Sequence, residues 1–282
     1  MTRRIAFIAA LLLAVSIHAA PRQRVASLLP WITDGLMRVP ERIEVVASVS
    51  DPSFPAPKGV LDLGSPHSPS FEILASARPA IIIGDSRIHG VIRDKLARSG
   101  ARIVFVEGSS VASTFDGLVT AADAAGAGAE MRQLVANAKR DIAALRLASP
   151  ISVLPLFGTP GSFMVVTGST WLGDLLRELR FRNLAAGAAG NQPFPGYVEI
   201  SDETLSMMRP ERVLLVAHGK PSEVEASIRL KGERSSTWRA LGEKLSVLPP
   251  ERFSRNPGLR MVDAARFLVA LQSTPKSARV RP

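Results

Sequence analysis

Cysteine is absent from all 282 residues, which excludes a disulfide framework, a thiolate metal site and a lipid-modified amino-terminal cysteine. Aromatic residues make up only 5% of the chain, with a single tyrosine, Tyr197. Histidine is nearly as scarce. Beyond His18, the chain has only His67, His89 and His218, which stand far apart and lack the paired spacing of a zinc site. The recognised enzyme motifs are missing too: no Gly-x-Ser-x-Gly elbow, no Gly-x-Gly-x-x-Gly dinucleotide loop, no Gly-Lys-Ser/Thr phosphate loop and no His-Glu-x-x-His. No catalytic residue, protein-held metal or cofactor is therefore assigned, and an exported enzyme with an unrecognised site is kept only as an alternative class.

What is present begins with Met1 to Ala20, two arginines followed by an apolar run and small residues, the plan of a secretory signal peptide. The run from Ile5 to Ile17 is short for a bilayer span. Cleavage is expected after Ala19, or else Ala20, giving a soluble periplasmic protein. The formal charge is +10, or +8 without Arg3 and Arg4, which favours anionic ligands through the overall field. Nucleic acid is not the expected partner, because the cations are spread out rather than interleaved with aromatics, and the leader directs the chain out of the cell.

A frame recurs within the chain. Ser70-Phe-Glu-Ile-Leu-Ala-Ser-Ala-Arg-Pro is echoed by Ser201-Asp-Glu-Thr-Leu-Ser-Met-Met-Arg-Pro, and an apolar run follows each. In both copies Ser fits an N-cap, Glu72 or Glu203 falls in the first helical turn, and Pro ends a short helix before a buried strand. Two such units suggest two similar lobes, with a cleft between them.

Strands are expected at Arg24–Leu29, Ile43–Val49, Val60–Leu63, Ala80–Gly84 and Arg102–Val106, with helices near Thr33–Val39 and Ile88–Ser99. This alternation favours a parallel sheet flanked by helices. From Ser113 to Ala148 strands stop, and Ala129–Leu147 carries apolar residues at spacings of three and four, a helix close to 30 Å long at ~1.5 Å per residue. Strands Ile151–Leu156, Phe163–Val166, Arg212–Ala217 and Lys244–Leu248 follow. They are interleaved with helices at Thr170–Leu179, Ser201–Met208, Trp238 and Leu259–Leu271, while 222–230 stays ambiguous. The organisation is thus 1–19 signal peptide, 20–112 first lobe, 113–149 helical linker, 150–273 second lobe and 274–282 basic tail.

Several stretches, in order and spacing, resemble the periplasmic substrate-binding proteins of ABC importers for metal chelates (iron-siderophore, cobalamin and haem), in the class with a single long linking helix. They are Arg24-Val-Ala-Ser-Leu-Leu-Pro, Val60-Leu-Asp-Leu-Gly, Arg78-Pro before Ile81-Ile-Ile, Gly168-Ser-Thr-Trp-Leu-Gly-Asp-Leu-Leu, Arg182-Asn, Ile200-Ser-Asp-Glu-Thr-Leu and Asn256-Pro-Gly-Leu-Arg. The resemblance implies an α/β fold of two Rossmann-like lobes with parallel sheets, joined by one long α-helix, with the ligand in the cleft between the lobes. It also implies that Glu72 and Glu203 meet arginines of an inner-membrane ABC permease. The expected partners are therefore a metal chelate and that permease, with the chain itself a monomer.

Ligands of open α/β lobes sit outside the carboxyl ends of the strands, so the loops there supply the candidate contacts. Trp31, Phe54 and Tyr197 are placed to stack on a chelate or macrocycle, with lobe core as the other reading of Trp31. Arg87 and Arg255 suit ligand carboxylates or phosphate. His67 and His218 are candidate iron ligands, or else hydrogen-bonding surface groups. The function expected is capture of a metal chelate, a ferric siderophore first. Cobalamin or haem is the alternative within the family, and a free metal ion the alternative outside it.

Overall fold

The computed structural model describes residues 21–51, 54–189 and 195–272. The expected signal peptide and basic tail lie outside the described residues. The first sheet contains β1 (Gln23–Ser27), β2 (Ile43–Ser48), β3 (Leu61–Asp62), β4 (Ile81–Gly84) and β5 (Arg102–Phe105), parallel throughout in the order β3-β2-β1-β4-β5. Its residues alternate between two cores. Val25, Ile81 and Ile83 face the helix α1 (Pro30–Leu36), while Ala26 and Ile82 face α2 (Phe71–Ala77) and α4 (Arg93–Ala97). Pro30, with its fixed φ, opens α1 three residues earlier than the apolar pattern suggests. The single helix expected at Ile88–Ser99 is instead broken into α3 (Ser86–His89), a 3₁₀ turn and α4.

Two helices follow without strands. Ser110 and Ser113 form a reciprocal capping box that starts α5 (Val111–Ala124), and α6 (Gly128–Ala144), about 25 Å long at ~1.5 Å per residue, carries the chain across. Met131, Val135, Ala138 and Ile142 bury the apolar stripe of α6, which lies against α5 and against α12 (Met261–Gln272) at the end of the second lobe.

The second sheet has β6 (Ser152–Thr159), β7 (Ser162–Val166), β8 (Arg182–Asn183), β9 (Tyr197–Val198), β10 (Arg212–Ala217) and β11 (Leu245–Leu248), in the order β11-β10-β6-β7-β9 with β8 also paired to β6. β6, β10 and β11 are parallel, as expected. β7 is antiparallel, which corrects the expectation of a purely parallel sheet. Only Pro160 and Gly161 separate β6 from β7, too few residues for a parallel crossover, and Gly161 takes the positive φ of 91° that the turn needs. Around the sheet lie α7 (Trp171–Glu178), α8 (Asp202–Met207), α9 (Pro221–Arg234), α10 (Ser236–Gly242) and α11 (Pro250–Phe253).

One continuous core joins the lobes. It runs from Val25 and Ile83 through Phe115, Leu118 and Met131 to Val153, Val166, Leu214 and Leu268. Polar bridges reinforce it. The Asp174 carboxylate of α7 accepts the Val111 N–H at the start of α5 at 2.9 Å, and the Asn256 amide donates to the Gly108 carbonyl and the Thr114 hydroxyl at 2.8 and 2.6 Å. Sliding the lobes apart would break a packed interior, so their relative placement is largely fixed.

Candidate functional site

Parallel strands bring their carboxyl ends to one edge of each sheet, and the candidate residues distribute unequally over these edges. In the second lobe, His218 follows β10 directly, is exposed, and donates its backbone N–H to the Gly158 carbonyl at 2.8 Å. Its ring lies 5.6 Å from that of Phe157, which in turn meets Tyr197 edge-on at 5.1 Å and 64°. Three rings thus adjoin as one partly exposed aromatic wall, tilted to one another, with His218 at its exposed end. Burial pushes the Tyr197 phenol above its ordinary pKa, so at neutral pH it is a hydroxyl and not a phenolate. Phe157 is the member that sequence reasoning missed. Placed inside an apolar strand, it carries no signal except its position two residues before the end of β6.

In the first lobe, His67 is exposed in the loop after β3, and Arg87 is exposed on α3, directly after β4. The Asp85 carboxylate caps α3 through the Arg87 N–H at 2.8 Å and lies 3.4 Å from the Arg87 guanidinium. Behind both loops His89 is fully buried. Its Nδ1 accepts the Asp85 N–H at 2.9 Å, and its Nε2 lies 3.0 Å from the Pro66 carbonyl. Burial holds its pKa below the ordinary imidazole value, opposed in part by the Nε2–H bond to the Pro66 carbonyl. The unfolded chain then binds the proton more readily than the native one. Native stability is therefore expected to be level above about pH 6.5 and to fall on acidification, by at most ~1.4 kcal/mol per pH unit from this group. Thermal melts between pH 7.5 and 5 check this, and His89→Gln should flatten the slope.

Two expectations are corrected here, and a third candidate, Phe54, has a contact of its own. Trp31 is only 8% exposed, its ring pressed against Gly108 and Gly117, so it belongs to the core and not to the cleft lining. Arg255 is already matched, its Nε 2.5 Å from Asp51 of the first lobe, and so ties the lobes together and does not wait for an anionic ligand. Phe54 lies under the Arg260 guanidinium at 5.8 Å, beside a cavity of about 470 Å³ between α1 and the loop after β2, so its ring is partly occupied by a cation-π contact.

Glu72 and Glu203 are exposed in the first turns of α2 and α8, whose N-caps Ser70 and Ser201 accept from the Ile73 and Thr204 N–H groups. Each helix connects two parallel strands, β3 to β4 and β9 to β10, and so runs back against them. Its N-terminus therefore stands at the strands' carboxyl edge. Among the described residues no three His, Asp or Glu side chains converge on one point.

This two-lobed plan, with its open carboxyl edges, is that of a solute-binding protein. The chain belongs to the periplasmic binding protein family, which it matches over residues 44–266. The high-affinity heme uptake system protein IsdE of Staphylococcus aureus strain Newman is 23% identical over 188 residues, 64% of this chain and 62% of that protein. The match thus spans less than two thirds of that relative's length. In structure the chain is similar to S. aureus IsdE complexed with heme (TM-score 0.72, 19% identity, 89% of this chain and 99% of that one). It is also similar to S. aureus SirA complexed with staphyloferrin B (TM-score 0.72, 15% identity, 90% and 94%). An ABC transporter substrate-binding protein from Listeria monocytogenes gives a TM-score of 0.74 at 20% identity, over 89% of this chain and 98% of that one. At such identities the likeness establishes the fold.

Proposed function

We propose that the chain is the exported solute-binding component of an ABC importer, capturing a metal chelate in the cleft and delivering it to an inner-membrane permease through Glu72 and Glu203. Among chelates the geometry favours haem. The observation that carries this is the wall of Phe157, Tyr197 and His218, which offers aromatic surface for a macrocycle and one exposed imidazole for its iron. His218 is exposed while Tyr197 is largely covered, and burial favours the neutral phenol, so His218 is the better placed iron ligand. The relatives that take up or hold heme support the same reading. A ferric siderophore is the second reading, favoured by the exposed Arg87, whose guanidinium suits an anionic chelate. Residues 1–19 are read as the leader that takes the chain to the periplasm.

Titration of the purified chain with hemin, followed through the Soret band, tests the proposal, with ferric siderophores and cobalamin in parallel. Hemin is expected to give a saturable shift with one equivalent, and His218→Ala, which removes the proposed iron ligand itself, to weaken it by at least the ~10- to 100-fold that loss of a supporting partner costs. Saturable binding of a siderophore with no hemin shift would select the second reading. No response to any chelate would remove both.

A further inference from the structure

One buried ring ties together the two first-lobe loops that carry His67 and Arg87. The Asp85 N–H can only donate and the Pro66 carbonyl can only accept, so His89 is held as the tautomer with its hydrogen on Nε2 and a lone pair on Nδ1. Both bonded groups belong to loop backbone outside the sheet ladder. An apolar side chain of similar size would fill the space and leave both unmet. Room for the ring comes from Gly84, where a Cβ would stand 3.1 Å from Nδ1. Pro66 immediately precedes His67, whose own N–H is held by the Ser65 hydroxyl at 3.3 Å. Asp85 in turn sets Arg87 through its carboxylate.

We propose that His89 is a positioning residue of the ligand site, holding His67 and Arg87 at the rim of the cleft by bridging the Pro66 carbonyl to the Asp85 amide. The inference rests on the cleft reading given above. The charged groups that act on the ring are Asp85 and His67, and neither side chain bonds to it, both ring nitrogens being met by backbone. His89 therefore acts on the rim through backbone and does not touch the ligand.

Hydrogen exchange on the ligand-free full chain tests the tie, comparing the wild type with His89→Gln and with Gly84→Ala, which displaces the ring without altering it. In both variants residues 65–69 and 85–89 are expected to exchange faster, while β1 and β2 keep the wild-type rate. The hemin dissociation constant should rise about tenfold, the low end for removal of a supporting partner. Val46→Ala, a core change in the same lobe, should lower the melting temperature and leave that constant unchanged. Retained protection in both loops overturns the proposal. So does loosening that spreads over the whole lobe as in Val46→Ala, or loosened loops with undiminished hemin affinity. If the wild-type chain itself fails to bind hemin, the exchange result still decides the tie, and the failure falls on the choice of ligand.

Discussion

Cells carrying Glu72→Gln with Glu203→Gln are expected to lose uptake of the chelate, while the purified double variant binds it as the wild type does. Both carboxylates are exposed, and each stands in the first turn of a short helix whose N-terminus lies at the carboxyl edge of its sheet. Their helix-start role is worth roughly 0.3–1 kcal/mol each. Glutamine keeps the side-chain length and leaves the Ser70 and Ser201 caps untouched, so the fold should survive. On a chain of net charge +10, two exposed acids at equivalent steps of a repeated unit suit a partner that presents arginines. Truncating one side of a desolvated charge pair costs about 2–5 kcal/mol, so losing two would weaken docking by several orders of magnitude. Uptake assays with the double variant, beside hemin titration of the protein, check this. Normal uptake, or loss of binding in the purified variant, would contradict the docking role.

How much of this was legible in the chain depended on the range of the interaction responsible. Signals within a few residues read well. The serine caps at Ser70 and Ser201 are observed as expected, and β10 occupies Arg212–Ala217, the predicted bounds. α9 was ambiguous because only Val224, Ile228 and Gly232 are buried in a helix otherwise charged and polar, a stripe too thin to stand out. The pairing of Arg255 with Asp51 joins residues 204 positions apart, and no local pattern foretells it. In the sequence His89 stands with the other histidines as lacking paired spacing. Its partners are two backbone groups, which sequence does not display. Trp31 sits at a predicted cleft loop in sequence order, yet its surroundings are set by glycines more than 70 residues away.

Replacing Trp31 by alanine is expected to cost about 3–5 kcal/mol, the range for emptying a large aromatic from a core. For a chain of this size that corresponds to a fall of roughly 10 °C in melting temperature. The ring occupies a slot made by residues without side chains. A Cβ at Gly108 would come within 3.0 Å of it and one at Gly117 within 2.9 Å, while one at Gly258 would come within 2.9 Å of the Trp31 carbonyl. Those glycines belong to the loop after β5, to α5 and to the turn before α12. The indole therefore wedges α1 of the first lobe against the linker and the end of the second, and the cavity it would leave lies where the lobes are set relative to each other. Trp31→Phe separates this role from ligand contact, because a smaller ring keeps much of the wedge but would alter any stacking on a chelate. Its hemin affinity should match the wild type at 20 °C despite a lower melting temperature. A Trp31→Ala protein of wild-type stability that had lost hemin binding would return the residue to the cleft, for then its energy would be spent on the ligand and not on the fold.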